Sequence, residues 1–473
     1  MGETLPLFRS SFNKSLRIEA RPDRLTAEPG AIVLREIMQR TRIIEWLVER
    51  LFDPRDADKV TYPLADLLRT VLLLLGQGWR DQDDADALRH DAGLRLAATG
   101  ARGTTALCGE THLASQPTLS RLIAVLSTPE NRAVLHEAII ELAGRRLRGM
   151  RGGHRHRYLS IDVDSLPIEV HGHQPGSAWN GHYHQRMYHP LVASVAETGD
   201  ILDARLRAGN VHTADGALDF ILDLVDRAED ALCQVAVVRI DAGFPDDKLL
   251  GGLERRGTPY VARLRNNKVL DRMARPLLQR PPGRPPAEPR VWFHEMAYQA
   301  GSWTKARRVV LVVVERPDQL LLDRFWLITS LDVGAVPAAE LLTLYRQRGR
   351  AEAHMGELMD VLDPALSSAP RRKRHYRGRR LAQRDSTLDA FAHNEVVLLL
   401  NILAYEVVHA GRCLMEAATK EGWSLRRFRE HVLRAAARVV VSGRRVTMVI
   451  GQAFARFWHR LWPRLECLRY TEP

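Results

Sequence analysis

The spacing of apolar residues predicts that the first third of the chain is helical. Apolar side chains recur every three or four positions over residues 32–52 and 64–75, as they do on one face of an amphipathic helix. Ser115 directly precedes another helical stretch that runs through Leu126, and serine is a favoured N-cap residue. We therefore predict a helical N-terminal domain over residues 1–150.

Short apolar stretches alternate with helical ones in the middle of the chain. The helical stretches are residues 217–228 and 245–256. Strands are predicted at residues 158–164, 201–207, 233–240 and 259–264. Strands that alternate with helices are typical of a sheet covered by helices, so the predicted fold class is α/β.

A proline-rich stretch and a change of pattern divide the rest of the chain. Six prolines between residues 275 and 290 indicate a loop. Three strands without an intervening helix follow, at residues 291–299, 307–316 and 324–330, and the helical pattern returns at Pro337. The predicted organisation after the N-terminal domain is a core in two parts, 151–264 and 337–410, a β-rich insertion, 265–336, and a helical C-terminal region, 411–473.

The charge balance favours a polyanionic partner. The 473 residues include 69 Lys and Arg against 57 Asp and Glu, which gives a net charge of +12. Such a surplus indicates nucleic acid ahead of a membrane. A composition of 45% hydrophobic and 27% charged residues is that of a globular protein and excludes wholesale disorder. The helix after Ser115 then fits either a DNA recognition helix or an ordinary surface helix.

Neither a membrane segment nor a targeting signal is expected. The longest apolar runs are much shorter than the roughly 18 residues that a spanning helix needs. The sequence MGETLPLFRS lacks the basic and apolar regions of a signal peptide. The four cysteines are scattered without a CxxC pair, which argues against a zinc finger and a disulfide framework. We expect a cytoplasmic protein.

Acidic residues stand at the ends of two predicted strands. Asp162 and Asp164 are two positions apart, so both side chains point to one face of their strand. Asp241 follows the apolar run VAVVRI, and Gly243 permits a tight turn just after it. Ligands of open α/β sheets gather at the carboxyl ends of strands. Aspartates at strand ends are also common as helix caps and turn residues, and both interpretations stay open at this point.

A helix further along adds a third acidic group. Tyr345, Arg348 and Glu352 are spaced at +3 and +7 and would share one helix face. Two aspartates and a glutamate suit Mg²⁺, which prefers carboxylate oxygens together with water and phosphate. Two such ions can serve both the attacking and the leaving oxygen of a phosphodiester.

Several motifs together resemble the DDE insertion-sequence transposases. They are GWRDQDDADALRHD (78–91), LASQPTLSRL (113–122), DVDSLPIEVHGHQPGSAWNGH (162–182), HPLVA (189–193), LRAGN (206–210), VRIDAGF (238–244) and YRQRGRAE (345–352). The chain is most similar to the group with a Tyr-Arg-Glu-Lys signature and a β-strand insertion, and within it to the thirteen-eighty branch. The resemblance covers most of the chain. It implies a ribonuclease H-like core interrupted by the β-rich insertion.

The resemblance also assigns the site residues. The catalytic, metal-binding triad would be Asp164, Asp241 and Glu352, with two Mg²⁺ ions that Mn²⁺ can replace, and Asp162 would be a neighbour that tunes the site. Tyr345 and Arg348 would contact DNA phosphate as the signature Tyr and Arg. The signature Lys should stand seven residues after Glu352, where this chain has Met359.

The activity implied by the resemblance is transposition of DNA. A homodimer would bind the terminal inverted repeats of its own element, cleave a strand at each end and join the 3′-hydroxyl to target DNA. The 1–150 domain would bind DNA, and the protein would be nucleoid-associated. Two alternatives stay open: a DNA-binding protein that has lost catalysis, and a nuclease on the same fold.

Histidines offer a competing interpretation. Seven lie between residues 154 and 189, and three pairs have the form HxH, which can present two zinc ligands on one face of a strand. A zinc hydrolase is therefore an alternative, although no HExxH motif is present. His171 and His189 lie in segments that match the family, where we expect them to form hydrogen bonds near phosphate.

Basic and aromatic residues complete the candidate DNA contacts. Residues 371–384 hold eight Lys and Arg and no acid, and we expect Arg371, Arg372, Lys373, Arg374 and Arg377 to contact phosphates, with Tyr376 available to stack. Trp292, Trp303 and Trp326 lie in or beside the β-rich insertion, where the resemblance implies an aromatic that holds a flipped base. Trp303, within polar GSWTK, is predicted to be the exposed one. Apolar stripes after residue 385 fit either scaffold packing or a dimer contact.

Overall fold

The protein divides into two compact units. The computed structural model describes residues 11–13, 15–16, 22–107, 112–149, 157–284, 286–367 and 386–468. The first unit combines the chain up to Val48 with Asp53–Leu122 and Val407–Arg469, and the second comprises Glu49–Phe52 and Ile123–Glu406. The main unit boundaries lie after Leu122 and after Glu406, and the domain boundaries at residues 150 and 410 stay predictions.

Within residues 22–107 and 112–149, the structure has helices and one short strand. The elements are β1 (Arg24–Thr26), α1 (Gly30–Thr41), α2 (Ile43–Arg50), α3 (Leu64–Gln77), α4 (Asp84–Ala87), α5 (Ala92–Ala98), α6 (Gln116–Leu126) and α7 (Pro129–Gly149). α3 buries Leu67, Leu68 and Leu74, and it ends at Gly78, whose φ of 87° lies in the left-handed region that glycine adopts freely. α6 begins directly after Ser115, as predicted.

The second stretch of chain, residues 158–264, supplies strands to two sheets. They are β2 (Tyr158–Ser165), β3 (Ile168–Glu169), β4 (Ala178–Asn180), β5 (Gln185–Tyr188), β6 (Leu191–Val195), β7 (Ile201–Arg205), β8 (Gln234–Ile240) and β9 (Tyr260–Leu264), with helices α8 (Ala217–Ala231) and α9 (Asp247–Arg256) between the later strands. β2, β8 and β9 run parallel to one another, whereas β6 pairs in antiparallel orientation with both β2 and β7. β3, β5 and β4 form a separate small sheet.

The predicted β-rich insertion extends the main sheet. After α10 (Lys268–Ala274), it forms β10 (Arg290–Tyr298), β11 (Arg307–Glu315) and β12 (Asp323–Thr329). β12 pairs with β9 in antiparallel orientation, so the sheet has eight strands in the order β10-β11-β12-β9-β8-β2-β6-β7. The predicted α/β class is confirmed, and the three strands predicted for the β-rich insertion are present.

The two faces of the sheet have different surroundings. Leu159, Ile161 and Val163 of β2 join a buried cluster with side chains of α7, α8 and α9. A second cluster, which includes Val237 and Val261, packs against α11 (Ala338–Arg346), and α12 (Gly349–Val361) follows α11 along the chain. Because strand side chains alternate, the even-numbered residues of β2, including the aspartates, lie on the face opposite the first cluster.

The C-terminal region contains a hairpin as well as helices. Its elements are α13 (Ser386–Thr419), α14 (Leu425–Phe428), β13 (Ala437–Ser442), β14 (Arg445–Ile450) and α15 (Gln452–Cys467). β13 pairs with both β1 and β14 in a three-stranded sheet. The predicted helical C-terminal region therefore contains a β-hairpin that the sequence pattern did not indicate. Burial along β13 alternates with a period of two, and Gly443 makes the turn with a φ of 56°.

α13 is the most apolar helix of the second half. Over Ala390–Thr419 it is long and apolar enough to cross a membrane by length and composition. In the protein, however, 94% of its most apolar window is buried. That burial is the behaviour of a core helix.

Candidate active site

Two strand-end aspartates meet at one edge of the main sheet. β2 and β8 are parallel neighbours, with Val163 opposite Ile240, so Asp164 and Asp241 are the next residues on the two strands. Asp241 is fixed by the turn behind it, because its Oδ1 accepts a hydrogen bond from the Gly243 N–H at 2.5 Å. Asp164 Oδ1 accepts from the Ser165 N–H at 2.9 Å. The parallel pairing therefore presents two oriented carboxylates at the carboxyl ends of the strands, where α/β sheets bind ligands.

Arg348 connects this edge to a third carboxylate. It is the residue just before α12, and Glu352 lies in the first turn of that helix. One guanidinium nitrogen contacts Asp164 Oδ2, and another donates to Glu352 Oε1 at 2.8 Å. Arg348 is only 7% exposed, whereas the Glu352 side chain is 60% exposed. The structure thus brings the three predicted triad residues to one site. The buried guanidinium of Arg348 lies between Asp164 and Glu352.

The single helix predicted for Tyr345, Arg348 and Glu352 is interrupted between Arg346 and Gly349. Tyr345 lies in the last turn of α11, and Arg348 precedes α12, so the two belong to consecutive helices and not to one. The Arg348 N–H still donates to the Tyr345 carbonyl oxygen at 3.0 Å. The pKa of the Tyr345 phenol is raised, mainly by burial, with contributions from Asp241 and Glu352. Tyr345 is therefore near the same carboxylates.

Asp162 has surroundings that differ from those of Asp164. Both of its oxygens accept from the Arg239 guanidinium at 2.6 Å, and both side chains are buried. Arg239 also donates to the Leu344 carbonyl oxygen at 2.7 Å, which ties β8 to the end of α11. Asp162 therefore joins the sheet to α11 beneath the site, and sequence inspection had missed its partner, Arg239.

The carboxyl of Asp164 is electrostatically crowded. Its pKa is raised to about 6, chiefly by burial and further by Asp241 and Glu352, whereas Arg348 and the Ser165 N–H oppose the rise. A divalent cation would relieve this repulsion, and carboxylate oxygens are the donors that Mg²⁺ prefers. The donor set therefore fits such an ion. Among the described residues, no three acidic, histidine or cysteine side chains are already gathered around a common ion position, and Arg348 lies between two of the donors.

Comparison with known proteins identifies the family. The family described as "Transposase DDE domain group 1" matches residues 8–368, which is well over half of the chain. The chain belongs to this family of DDE transposases. A search of curated proteins gives no match.

A solved structure is also similar to this transposase. It is described as a cryo-EM structure of the piggyBac transposase synaptic complex with hairpin DNA. The sequence identity is 11% and the TM-score 0.40, over 87% of this chain and 80% of that chain.

The histidines of the transposase do not gather into a cluster in the part of the chain that the structure describes. His171 is exposed, whereas His189 is buried with Nδ1 3.4 Å from the Val211 carbonyl oxygen. Burial and Arg207 lower the pKa of His189, so its imidazole is held neutral. His189 also lies beside the exposed ring of Tyr183, with ring centroids 5.8 Å apart. His154 and His156 lie outside the described residues.

The expectation that Trp303 is exposed was wrong. Trp303 is 8% exposed, its ring packs edge-on against Tyr298 and the Arg307 guanidinium lies over it at 5.1 Å. Trp326 is fully buried and Trp292 is half-buried. The exposed tryptophan is Trp179 of β4, at 61%, which the sequence analysis did not single out although it lies in a family-matching segment.

Two further groups of predicted DNA contacts have different outcomes. The basic run 371–384, with Arg371, Arg372, Lys373, Arg374 and Arg377, lies outside the described residues. At α6, the Gln116 N–H donates to Asp86 Oδ1 and the Ser120 hydroxyl donates to Gln82 Oε1, so an acidic segment packs beside the start of the helix. Recognition of DNA by α6 stays a prediction.

Proposed function

We propose that this DDE transposase binds the terminal inverted repeats of its own element, cleaves DNA there and joins the ends to target DNA. The observation that carries the proposal is the meeting of Asp164, Asp241 and Glu352 at the carboxyl edge of the sheet. Three carboxylates close enough to raise a pKa are costly for a protein unless they serve a function. Cation binding for phosphodiester chemistry is the function that fits the family.

The three carboxylates would hold two Mg²⁺ ions, which Mn²⁺ can replace. When bound, such ions supply Lewis acidity and positive charge at the reacting phosphate. The turn N–H of Gly243 and the N–H of Ser165 orient the two aspartates for this role. Arg348 is positioned to exchange its carboxylate partners for a phosphate oxygen and to stabilise negative charge on phosphorus as the bond changes.

Both chemical steps are in-line displacements at phosphorus. In cleavage, a water oxygen bonds to phosphorus while the bond to the 3′-oxygen breaks, and that oxygen leaves as a 3′-hydroxyl after taking a proton. In strand transfer, the new 3′-hydroxyl loses its proton and attacks a target phosphodiester, displacing a 3′-oxygen there. Because the two reactions are alike at phosphorus, one set of carboxylates can serve both.

The DNA partner and the assembly are also proposed. The net charge of +12 supports an interaction with double-stranded DNA, both at element ends and at the target. Joining two ends in one complex calls for two copies of the site, so we propose a homodimer. The protein would then be cytoplasmic and associated with the nucleoid.

Substitution of each triad residue tests the proposal. Purified protein is incubated with end DNA and Mg²⁺, and products are separated on a denaturing gel. We expect Asp164→Ala, Asp241→Ala and Glu352→Ala each to lower strand cleavage by at least about 1,000-fold, because loss of one donor impairs charge stabilisation at phosphorus. End binding should persist, since phosphate contacts elsewhere hold the DNA.

Controls separate catalysis from folding. Glu340→Ala removes an exposed carboxylate on α11 and should leave cleavage unchanged. Asp162→Ala is unsuitable as a control, because it leaves buried Arg239 without its carboxylate partner. The free energy of unfolding should fall by about 3–5 kcal/mol. If a triad variant cleaves at near the wild-type rate, that residue is not catalytic. Wild-type protein that binds end DNA without cutting it would indicate a binding protein that has lost catalysis, and cutting without joining to supercoiled target would indicate a nuclease.

A further inference from the structure

The hairpin formed by β4 and β5, residues 178–188, has a fixed tip. Trp179 pairs with Arg186 and Asn180 with Gln185 across the two strands. At the tip, Asn180 Oδ1 accepts from the N–H groups of His182 and Tyr183, at 3.0 and 3.3 Å. The Asn180 side-chain amide also donates to the Gly209 carbonyl oxygen at 2.9 Å, which ties the tip to the loop after β7. The tip is therefore held in place by specific hydrogen bonds.

This tip lies beside the catalytic carboxylates. The ring of Tyr183 packs against that of His189, with centroids 5.8 Å apart. His189 is two residues before Leu191, which pairs with Ser165 in the register that also sets Val192 opposite Asp164. Consistent with this location, the pKa of the Tyr183 phenol is raised by burial and by the charges of Asp164 and Asp241. The phenol thus stays protonated and can donate a hydrogen bond.

The chemistry of the tip complements that of the carboxylates. Carboxylates only accept hydrogen bonds, whereas a phosphodiester needs donors for its non-bridging oxygens. Tyr183, 39% exposed, offers a hydroxyl donor with a ring behind it. Trp179, 61% exposed on the strand that leads to the tip, offers a flat apolar surface of the kind on which nucleotide bases stack. Exposure of two large aromatics in one hairpin marks a binding surface.

We propose that the tip of the β4–β5 hairpin is a DNA-contact surface beside the active site. Tyr183 donates its hydroxyl hydrogen to a phosphate oxygen adjacent to the scissile bond, and Trp179 stacks on a nearby base of the same strand. The occupant is one DNA strand at the element end, since Tyr183 packs on His189, just before the strand that pairs with Asp164. This inference rests on the proposed function, and Tyr183 acts as a positioning residue.

Matched tyrosine variants test the phosphate contact. Tyr183→Phe should lower the cleavage rate at saturating end DNA by about 10- to 100-fold, the usual effect of losing a hydrogen bond to a charged group, without changing the thermal midpoint of unfolding. Tyr158→Phe is the control, because Tyr158 is exposed at the opposite end of β2, roughly 20 Å from Asp164 at about 3.3 Å per residue.

Modified DNA gives a readout that a structural role would not alter. A single neutral methylphosphonate is moved across the phosphates flanking the scissile bond. At the contacted phosphate it should slow the wild type and the Tyr158 variant but cause no further loss in Tyr183→Phe. Equal slowing of all three proteins at every flanking position would overturn the Tyr183 contact.

Abasic substrates test the stacking contact. Trp179→Ala should weaken binding of end DNA by about 5- to 100-fold, the usual range for loss of one stacked base. Removing the stacked base should weaken wild-type binding similarly and leave the Trp179 variant unaffected. A variant that binds as tightly as wild type, or that loses affinity equally at every abasic position, would overturn the stacking contact. If wild-type protein does not cleave end DNA at all, the proposed function fails; if it cleaves and these variants behave like wild type, only this inference fails.

Discussion

Asp162 and Asp164 stand two positions apart on β2, yet their neighbours give them different surroundings. Arg239 on β8 lies opposite Asp162 in the parallel register and forms two hydrogen bonds with it inside the protein. Asp164 instead meets Arg348 and the other acidic residues at the strand end. The i, i+2 spacing predicts only that both carboxylates share a face. The sequence did contain a sign of the pair, because an arginine within the apolar run VAVVRI requires a buried partner.

Arg348 is expected to compete with divalent cations. Its guanidinium pairs with oxygens of Asp164 and Glu352, which are two of the proposed metal donors. An ion that takes these oxygens must displace the arginine. Arg348→Gln should therefore bind Mn²⁺ about 10- to 100-fold more tightly than wild type in the absence of DNA, because about 1.5–3 kcal/mol of charged hydrogen bonding no longer opposes binding. Isothermal titration calorimetry of the DNA-free protein measures this affinity.

A nearby arginine supplies the control for that titration. Arg346→Gln removes an exposed charge two residues earlier and should leave Mn²⁺ affinity near the wild-type value. Equal changes in both variants would indicate a general effect of net charge. Weaker binding by Arg348→Gln would mean that the arginine helps to assemble the donors, contrary to the competition argued here.

At the scale of elements, long apolar patterns were predicted well and short exposed ones were not. The strands β2, β8 and β9 are apolar runs buried on both faces, and such runs are distinctive. β13 and β14 have only six residues each, with half of them turned outward, so helical neighbours masked their period. Polar neighbours likewise suggested that Trp303 is exposed, whereas packing against Tyr298 and Arg307 buries it. Exposure depends on such tertiary contacts, which sequence context does not reveal.

α13 is joined to the sheet through a buried acidic pair. Glu406 Oε1 accepts from the Ile201 N–H at 2.7 Å, and Asp200, the preceding residue, pairs with Arg146 of α7. The pKa of Glu406 is raised well above its ordinary value, first by burial and then by the charge of Asp200, with Arg146 opposing. The folded protein therefore favours the protonated form of Glu406, which can share its hydrogen with Asp200.

This shift predicts a pH-dependent stability. Consider a carboxyl group whose pKa is higher in the folded protein than in the unfolded chain. Its contribution to stability is fully present at pH values below the pKa of the unfolded chain, and it is lost as the pH rises through the pKa of the folded protein. The loss amounts to about 1.4 kcal/mol per pH unit within that window. Glu406→Gln carries no proton to lose and keeps an acceptor for the Ile201 N–H and a donor for Asp200. The variant should therefore gain stability relative to wild type as the pH rises above 4.5, the ordinary pKa of a glutamate.

Denaturant unfolding at a series of pH values measures this difference. Glu340→Gln, which alters an exposed carboxyl, should follow the wild-type profile throughout. A constant offset between Glu406→Gln and wild type across the range would show that Glu406 has the same pKa in the folded and the unfolded protein. The pair with Asp200 would then not share a proton.

At the scale of the whole molecule, contacts distant in sequence determine the compact units. β1, near the start of the described chain, pairs with β13, so the first unit draws on both ends. α7 belongs to the unit of the main sheet, where Ile140 and Ala143 join its core. Pattern and composition predict elements one after another along the chain. They do not predict which distant elements pair, and for this reason the make-up of the two units could not be predicted from the sequence.

The basic run is expected to bind DNA through charge alone. Its eight Lys and Arg, without an acid, contribute strongly to the net charge of +12. Each phosphate that a cationic side chain neutralises releases condensed counterions, so the slope of log affinity against log salt should flatten by roughly 0.9 for each such interaction that is removed. Neutralising Arg371, Arg372, Lys373 and Arg374 together should flatten it by up to about 3.6. Affinity should fall alike for end DNA and scrambled DNA, since phosphate contacts carry no base sequence.

A salt series on both DNAs, with wild type and the quadruple variant, separates the outcomes. The ratio of end to scrambled affinity at each salt concentration should be the same for the two proteins, because base-edge contacts elsewhere determine specificity. Scrambled DNA is the internal control, since it offers the same number of phosphates in a different base order. An unchanged slope would mean that these side chains only face solvent. A loss of affinity confined to end DNA would mean that the run reads bases, and recognition would then not depend solely on the N-terminal domain and α6.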